Sequence, residues 1–386
     1  MKVSNLTRNT LLVGLVVFIM SQTILISIFL NRRDTPYMYN GEEDKVNWTS
    51  YKYLHDRGTH QDSKIKMPSQ KNFAQKFLTI FTTFSEREHT RFQIQNNTLC
   101  NYEQFPNDLT ERVIFASDTF HLREDGPCGK KAKNGRDFEW NFVTLRPNMT
   151  AAGRPVLRQM FIESQSRFNS DLYMYTNGDI LFNFRKLMGS LKAIERFTKV
   201  RNIKRYIIFG GRRELNFYHT DNKTVEQIEI GSDEEIDAYA LVSKSGRIDA
   251  QDYIITSKSS FPWEVVPDYV VSLPAFDNWL LMYSNKANIA TFDITLTTVA
   301  LHQAGVPKLV DKNYNESAKI NLQILRNSIE NGVGIRNTFK CCKWKTMYHL
   351  NQVKIIKSLT YRSWKCISEL KIPVFNLMDN NKIEEQ

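Results

Sequence analysis

The stretch that decides the fold is Tyr173-Met-Tyr-Thr-Asn-Gly-Asp-Ile-Leu-Phe182. Asp171 to Thr176 is a short apolar and aromatic run with the composition of a buried strand. It ends in Asn177-Gly178-Asp179, and a second apolar run, Ile180 to Asn183, leads into an amphipathic stretch over about Phe184 to Phe197. Glycine permits a sharp turn and a close backbone approach to a ligand, and the aspartate after it offers a carboxylate at a strand end. Taken alone, Asn177-Gly178 is also an ordinary tight turn joining two strands of a hairpin.

Outward from this centre, short apolar strands alternate with helices. Strands are expected at Phe77–Phe84, Arg112–Ser117 and Arg205–Phe209, and Asp252–Thr256 opens an aromatic, turn-rich second half expected as an acceptor-side wall. A helix is expected over Pro155 to Phe168, with Pro155 in its first turn. The alternation predicts an α/β sandwich with a mostly parallel sheet, and in such sheets ligands bind beyond the carboxyl ends of the strands. Asp118, Asn177-Gly178-Asp179 and Gly210-Gly211-Arg212-Arg213 all fall just past strand ends.

The chain has 386 residues, 41% hydrophobic and 12% aromatic, enough for one large domain or two ordinary ones with a packed core. Its formal net charge is +11. A basic surface favours anionic partners such as nucleotide-sugars, sulfated glycans or anionic lipids, although lysine and arginine dispersed over a solvated surface give the same total. Zinc-finger spacing, a basic heptad and an RNA-binding aromatic signature are all missing from the sequence, so no nucleic acid partner is expected.

Leu11 to Leu30 is an uncharged apolar run of bilayer-spanning length. Its bulky end, Ile28-Phe29-Leu30 before Arg32 and Arg33, lacks a small-residue cleavage site, so an uncleaved anchor is expected. Flanking charge is nearly balanced between Lys2 and Arg8 on one side and Arg32 and Arg33 on the other. Glycosylation acceptors at Asn47, Asn96, Asn148, Asn222 and Asn315 all follow the run and permit a lumenal body. The expected organisation is a cytoplasmic tail over 1–10, an anchor over 11–30, a polar stem over 31–70, a catalytic domain over 71–330 and a cysteine-containing extension over 331–386. Cys100, Cys128, Cys341, Cys342 and Cys366 lack paired metal-ligand spacing. One or two disulfides are expected, with Cys100–Cys128 and Cys341 or Cys342 to Cys366 the near neighbours in sequence.

The central stretch resembles the strand and metal-binding turn of GT-A-fold glycosyltransferases, especially poorly characterised invertebrate type II membrane members. In those, a Ser/Ala-Asn-Gly-Asp-Ile-Leu-Phe element stands in for an Asp-x-Asp motif. Similar elements follow in the same order at Phe77–Phe84, Gly211-Arg212-Arg213, Asp249–Ile254, Phe261-Pro262-Trp263, Ala275–Trp279 and Ala300–Gln303. The resemblance implies a GT-A-like, Rossmann-like sheet sandwiched by helices, and a nucleotide-sugar donor with a glycan, glycoprotein or glycolipid acceptor. It also implies a Golgi or ER membrane location with the C-terminal domain lumenal, and a divalent cation, Mn²⁺ or Mg²⁺. Asn177 stands in the place of the first acidic residue, and an amide binds a hard cation more weakly than a carboxylate does.

Site expectations follow from these chemistries. Asp179 is the candidate metal ligand, with Asn177 as a neutral helper and His302 as a late ligand. Arg212 and Arg213 pair with diphosphate oxygens through bidentate forks. Asp118 takes a ribose or base hydrogen bond. Asp252 and Asp277 are the candidate bases that deprotonate an acceptor hydroxyl in an inverting reaction. Trp263 and Trp279 are placed on the acceptor side, where an aromatic face stacks on a sugar, or else in the core. The alternative function is a catalytically inactive lumenal glycan-binding or assembly module on the same fold.

Overall fold

Strand β1 (Lys76–Thr83) shows how this sheet is made: Leu78 and Ile80 point to one side and Phe81 to the other, and all three are buried. The same two-sided alternation recurs along the central strands. A parallel sheet covered on both faces requires such near-continuous apolar runs.

The computed structural model of the chain describes residues 75–84, 91–118, 140–219, 224–225, 232–248, 250–306, 312–329, 338–361 and 366. The tail, anchor and stem expected over 1–70 lie outside the described residues. Among the described residues, no helix is long and apolar enough to cross a membrane.

In chain order the remaining strands are β2 (Thr110–Ala116), β3 (Asn141–Thr144), β4 (Ser170–Thr176), β5 (Ile180–Phe182), β6 (Tyr206–Gly210), β7 (Arg213–Asn216), β8 (Lys244–Ser245), β9 (Tyr253–Thr256), β10 (Ala290–Asp293), β11 (Ala300–Ala304), β12 (Trp344–His349) and β13 (Gln352–Lys357), leaving aside two-residue hairpins. The helices are α1 (Phe92–Glu103), α2 (Leu157–Arg167), α3 (Phe184–Val200), α4 (Asp233–Val242), α5 (Phe276–Lys286) and α6 (Lys312–Ser328).

Nine strands form the main sheet in the order β13-β12-β10-β6-β9-β4-β1-β2-β3. All run parallel except β9, which is inserted antiparallel between β4 and β6, and the edge strand β13. One face packs on α2, α5 and the end of α6, and the other on α3 and the end of α1. The result is a mixed α/β sandwich with a largely parallel, Rossmann-like central sheet flanked by helices. A second sheet, β8-β7-β11-β5, lies beyond the ends of β4 and β6.

Helix α2 begins at Leu157 rather than at Pro155, because Pro155 pairs with Thr150 in a two-residue hairpin first. The segment after Gly332, expected as an extension, supplies β12 and β13 to the main sheet and is tied by the Cys341–Cys366 disulfide. Cys342 is a buried free thiol. Cys100 is in a disulfide as well, and its expected partner Cys128 lies outside the described residues.

Candidate active site

The reversed direction of β9 gathers the polar residues. Tyr253, its first residue, is in register with both Thr176 at the end of β4 and Gly210 at the end of β6. Asp252 therefore stands at the carboxyl edge of the sheet beside Asn177 and Arg212, although it precedes a strand where they follow one. Asn177 N–H donates to the Asp252 backbone carbonyl at 3.2 Å. Asp249 lies outside the described residues.

The Asn177-Gly178-Asp179 turn links the main sheet to the second one, so it is not the bend of a hairpin. Gly178 is needed for space: an added Cβ would stand 2.8 Å from the Thr83 carbonyl oxygen and 2.9 Å from the Phe84 ring. Helix α1 clamps the same turn. Thr98 Oγ1 donates to Gly178 O at 2.9 Å, Tyr102 donates to Ile180 O at 3.0 Å, and Asn101 exchanges two hydrogen bonds with the Phe182 backbone. Gln303 completes the clamp. Its backbone N–H donates to Asp179 O at 3.0 Å, while its side chain bonds Asn97, Thr98 and the Ile94 carbonyl.

The second sheet delivers His302. In β11 it faces Ile180 of β5 on one side and Glu214 of β7 on the other. Its Nε2 lies 3.3 Å from Asp179 Oδ2, and Arg91 Nη1 lies 3.6 Å from the same oxygen. Burial pushes the Asp179 carboxyl up, but the charges of His302, Arg91 and Arg212 overcome that and hold it well below the usual carboxylate range.

Asp252 behaves oppositely. Its Oδ1 accepts from Arg212 Nη1 and, at 3.1 Å, from Asn177 Nδ2. Burial and repulsion from Asp179 nevertheless raise its carboxyl, with Arg212 and His302 opposing. Arg212 also grips Glu214 Oε1 through Nε and Nη2 at 3.3 and 3.0 Å. Asn177 is fully engaged: its Oδ1 accepts from Tyr175 at 2.8 Å and from Ser272 at 3.3 Å.

Asp277 sits in the first turn of α5 and accepts the N–H groups of Gln251 at 3.1 Å and Asn278 at 2.9 Å. It thereby fixes the backbone just before Asp252. Burial raises its carboxyl from 3.8 to about 7.

Four expected residues lie away from this cluster. Arg213 points to the end of α4 instead, donating to Ala240 O, Ser243 Oγ and Ser243 O at 3.0, 2.7 and 2.9 Å, because the last carbonyls of a helix need donors. Trp263 and Trp279 are 1% and 0% exposed and belong to the core instead of a sugar-stacking rim. Trp263 stacks on Phe161 at 3.7 Å and donates to Thr256 Oγ1, whereas Trp279 stacks on Tyr283 at 5.0 Å and donates to Ser328 Oγ. Asp118 is exposed two residues past β2, and β1 stands between β2 and β4 in the sheet.

Arg91 and the polar face of α1 carry no sequence signal of their own. Their only clue is the strand before them, whose carboxyl end must be followed by residues at this edge of the sheet.

Buried polar atoms without a protein partner mark what the cluster is open to. Asp179 Oδ1, Asp252 Oδ2 and His302 Nδ1 are such atoms. Two carboxylate oxygens and an imidazole nitrogen match the donor types that Mn²⁺ accepts, and the oxygens suit Mg²⁺. Among the described residues, no group of three or more His, Cys, Asp or Glu side chains is arranged to hold a metal ion.

No family model matches the chain, and no curated protein matches it. Solved structures of Staphylococcus aureus TarS do. Residues 1–349 of TarS align at 13% identity over 59% of this chain and 58% of that one, with a TM-score of 0.29. The same TarS segment in complex with UDP-GlcNAc aligns at 16% identity over 38% of this chain and 36% of that one, with a TM-score of 0.24. The chain thus spans less than three fifths of the length of either structure. The strand order, not these partial superpositions, carries the fold.

Proposed function

We propose that this chain is a glycosyltransferase that moves a sugar from a nucleotide-sugar donor to a glycan, protein or lipid acceptor. The observation that carries the reading is the pairing of Asp179 and Asp252 with Arg91, Arg212 and His302 at the carboxyl edge of the sheet. A departing nucleoside diphosphate develops negative charge, and preorganised cationic groups lower that cost. Arg212 is held in place by Asp252 and Glu214, and so presents its charge without reorganising.

A divalent cation held by Asp179 and a neutral His302 imidazole would take the place of the Asp179–His302 ion pair and supply positive charge to the departing phosphates. Asp179, kept ionised by its neighbours, suits that anchoring. Asp252 and Asp277, both raised, suit proton transfer from an acceptor hydroxyl near neutral pH. Asp118 remains a proposed donor-side contact at the same edge. The proposed setting is a type II membrane protein of the Golgi or ER, anchored by residues 11–30 with its C-terminal body in the lumen. The disulfides at Cys341–Cys366 and Cys100 support an oxidising compartment.

A second reading is a non-catalytic glycan-binding or assembly module. Asn177 favours it, because a neutral amide stands where a carboxylate is expected and its oxygen is already taken by Tyr175 and Ser272. Incubating the purified chain with a panel of nucleotide-sugars and Mn²⁺, Mg²⁺ or EDTA separates the two. Release of nucleoside diphosphate supports the transferase. Absence of both turnover and nucleotide binding across the panel rejects it.

A further inference from the structure

The hairpin of β12 and β13 reaches past the sheet it belongs to. β12 pairs with β10 only at Trp344 and Lys345, beside Phe292 and Asp293. Thr346 to His349 then continue beyond the end of β10, about 13 Å at the rise of a strand. They extend over the carboxyl edge, the edge that carries the polar cluster. The projection is braced from beneath: Thr346 Oγ1 lies 2.6 Å from Thr297 Oγ1, and the Tyr348 hydroxyl donates to Thr297 O at 3.0 Å.

The tip is exposed and presents Leu350 among polar neighbours, His349, Asn351 and Gln352. Leu350 is 85% exposed, with Tyr348 at 43% and Met347 at 38%. Leu350 and Asn351 both have positive φ, 48° and 59°. A two-residue turn of this kind favours Asn or Gly, so placing a bare leucine there costs the free protein twice, in backbone strain and in apolar exposure.

Strand alternation sets Lys345, Met347, Lys354 and Ile356 on one face, opposite the side on which Trp344 and Ile355 pack into the core. From Thr338 to Tyr361 the sequence has lysines at 340, 343, 345, 354 and 357 and no acidic residue. Lys354 reaches only Gln352, at 3.3 Å. Lys357 lies 5.8 Å from the Tyr361 ring centre. The nearby acids belong to other elements: Asp293 faces Lys345, and Asp237, which acts on Tyr348, is paired with Lys186.

An exposed leucine at the turn, with Met347 beside it and Lys345 and Lys354 behind it on the Met347 face, matches the layering of a bilayer surface: acyl boundary, then anionic headgroups. We infer that the β12–β13 hairpin is a membrane-docking finger whose tip at Leu350, with Met347 beside it, enters the interface of an anionic phospholipid bilayer. Docking turns the carboxyl edge, and with it the polar cluster, toward the membrane. A second copy of the chain fits less well, because strand pairing at β13 would bring Lys354 and Lys357 against their own counterparts. This inference does not depend on the chain being a transferase.

The test uses the full chain with a fluorescent label at Leu350→Cys or, as a control, at Val200→Cys. Val200 is 86% exposed at the far end of α3, on the opposite edge of the sheet. Each labelled chain is mixed with phosphatidylcholine vesicles containing phosphatidylserine and nitroxide-labelled lipid. The expected result is strong quenching at 350 and little at 200. Lys345→Glu with Lys354→Glu is expected to reduce that quenching, with a loss of about fivefold in vesicle affinity per lysine and unchanged circular dichroism. Equal quenching at both positions would mean tethering without docking and would overturn the inference. So would a label at 350 that is untouched by lipid but shielded as protein concentration rises, which would favour a second copy.

Discussion

His302 Nε2 stands 3.3 Å from Asp179 Oδ2, although the two residues belong to distant parts of the chain, brought together by the β5–β11 pairing. This contact ties the one carboxylate of the turn to a basic group on a separate strand. Asp179→Asn removes the charge that His302 and Arg91 neutralise while leaving the backbone clamp of α1 and Gln303 intact. Nucleoside diphosphate release is expected to fall by about a hundredfold or more, the scale of losing one preorganised electrostatic contact. Circular dichroism should be unchanged. Wild-type turnover in the variant would remove Asp179 from the mechanism.

Gly178→Ala tests the close approach of the turn to β1. The new Cβ meets backbone, the Thr83 carbonyl, and the Phe84 ring, so neither neighbour yields easily. A stability loss of about 1–3 kcal/mol is expected from this overpacking. Urea unfolding measures it, and a variant as stable as the parent would show that the turn has room to shift.

Asp277 makes stability fall with rising pH. Its carboxyl titrates at about 7 when folded against 3.8 for the free group, so the folded state holds the proton more tightly. The unfolded state then binds fewer protons over that interval, and unfolding free energy declines as pH rises from about 4 to 7. Asp179 has the opposite sign, since its depressed carboxyl withdraws stability only as pH falls below the ordinary carboxylate range. Thermal melts from pH 4 to 7 should therefore flatten in Asp277→Asn relative to the parent. An unchanged slope would show that Asp277 is not the group responsible.

Trp279→Ala distinguishes a core role from a sugar-stacking one. The ring is fully buried, stacks on Tyr283 and donates to Ser328, so about 3–5 kcal/mol of stability should be lost. A variant that keeps its melting temperature yet loses acceptor affinity would reverse this assignment.

Much of the sheet is legible in the residues. The runs at Phe77–Phe84, Arg112–Ser117, Asp171–Thr176 and Arg205–Phe209 each match a strand to within two residues at either end, because a strand buried on both faces has to be apolar throughout. Helix α1 was invisible for the converse reason. Its buried side carries Gln95, Asn97, Thr98 and Asn101, and the last three hydrogen-bond Gln303, the turn and the strand after it, so no apolar period marks it. The strands β12 and β13 hid in a lysine-rich segment that shows one face to solvent.

Sequence alone determined the α/β class, the turn at Asn177-Gly178-Asp179 and the polar character of the strand ends, since these depend on local periodicity and on the few residues a tight bend accepts. Only the tertiary structure decided which polar residues meet. The antiparallel insertion of β9 brought Asp252 to Arg212, and the second sheet brought His302 to Asp179, while Arg213, Trp263 and Trp279 were drawn to a helix end and the core. Such meetings depend on strand order and direction, which arise from long-range packing and leave no periodic mark in the chain.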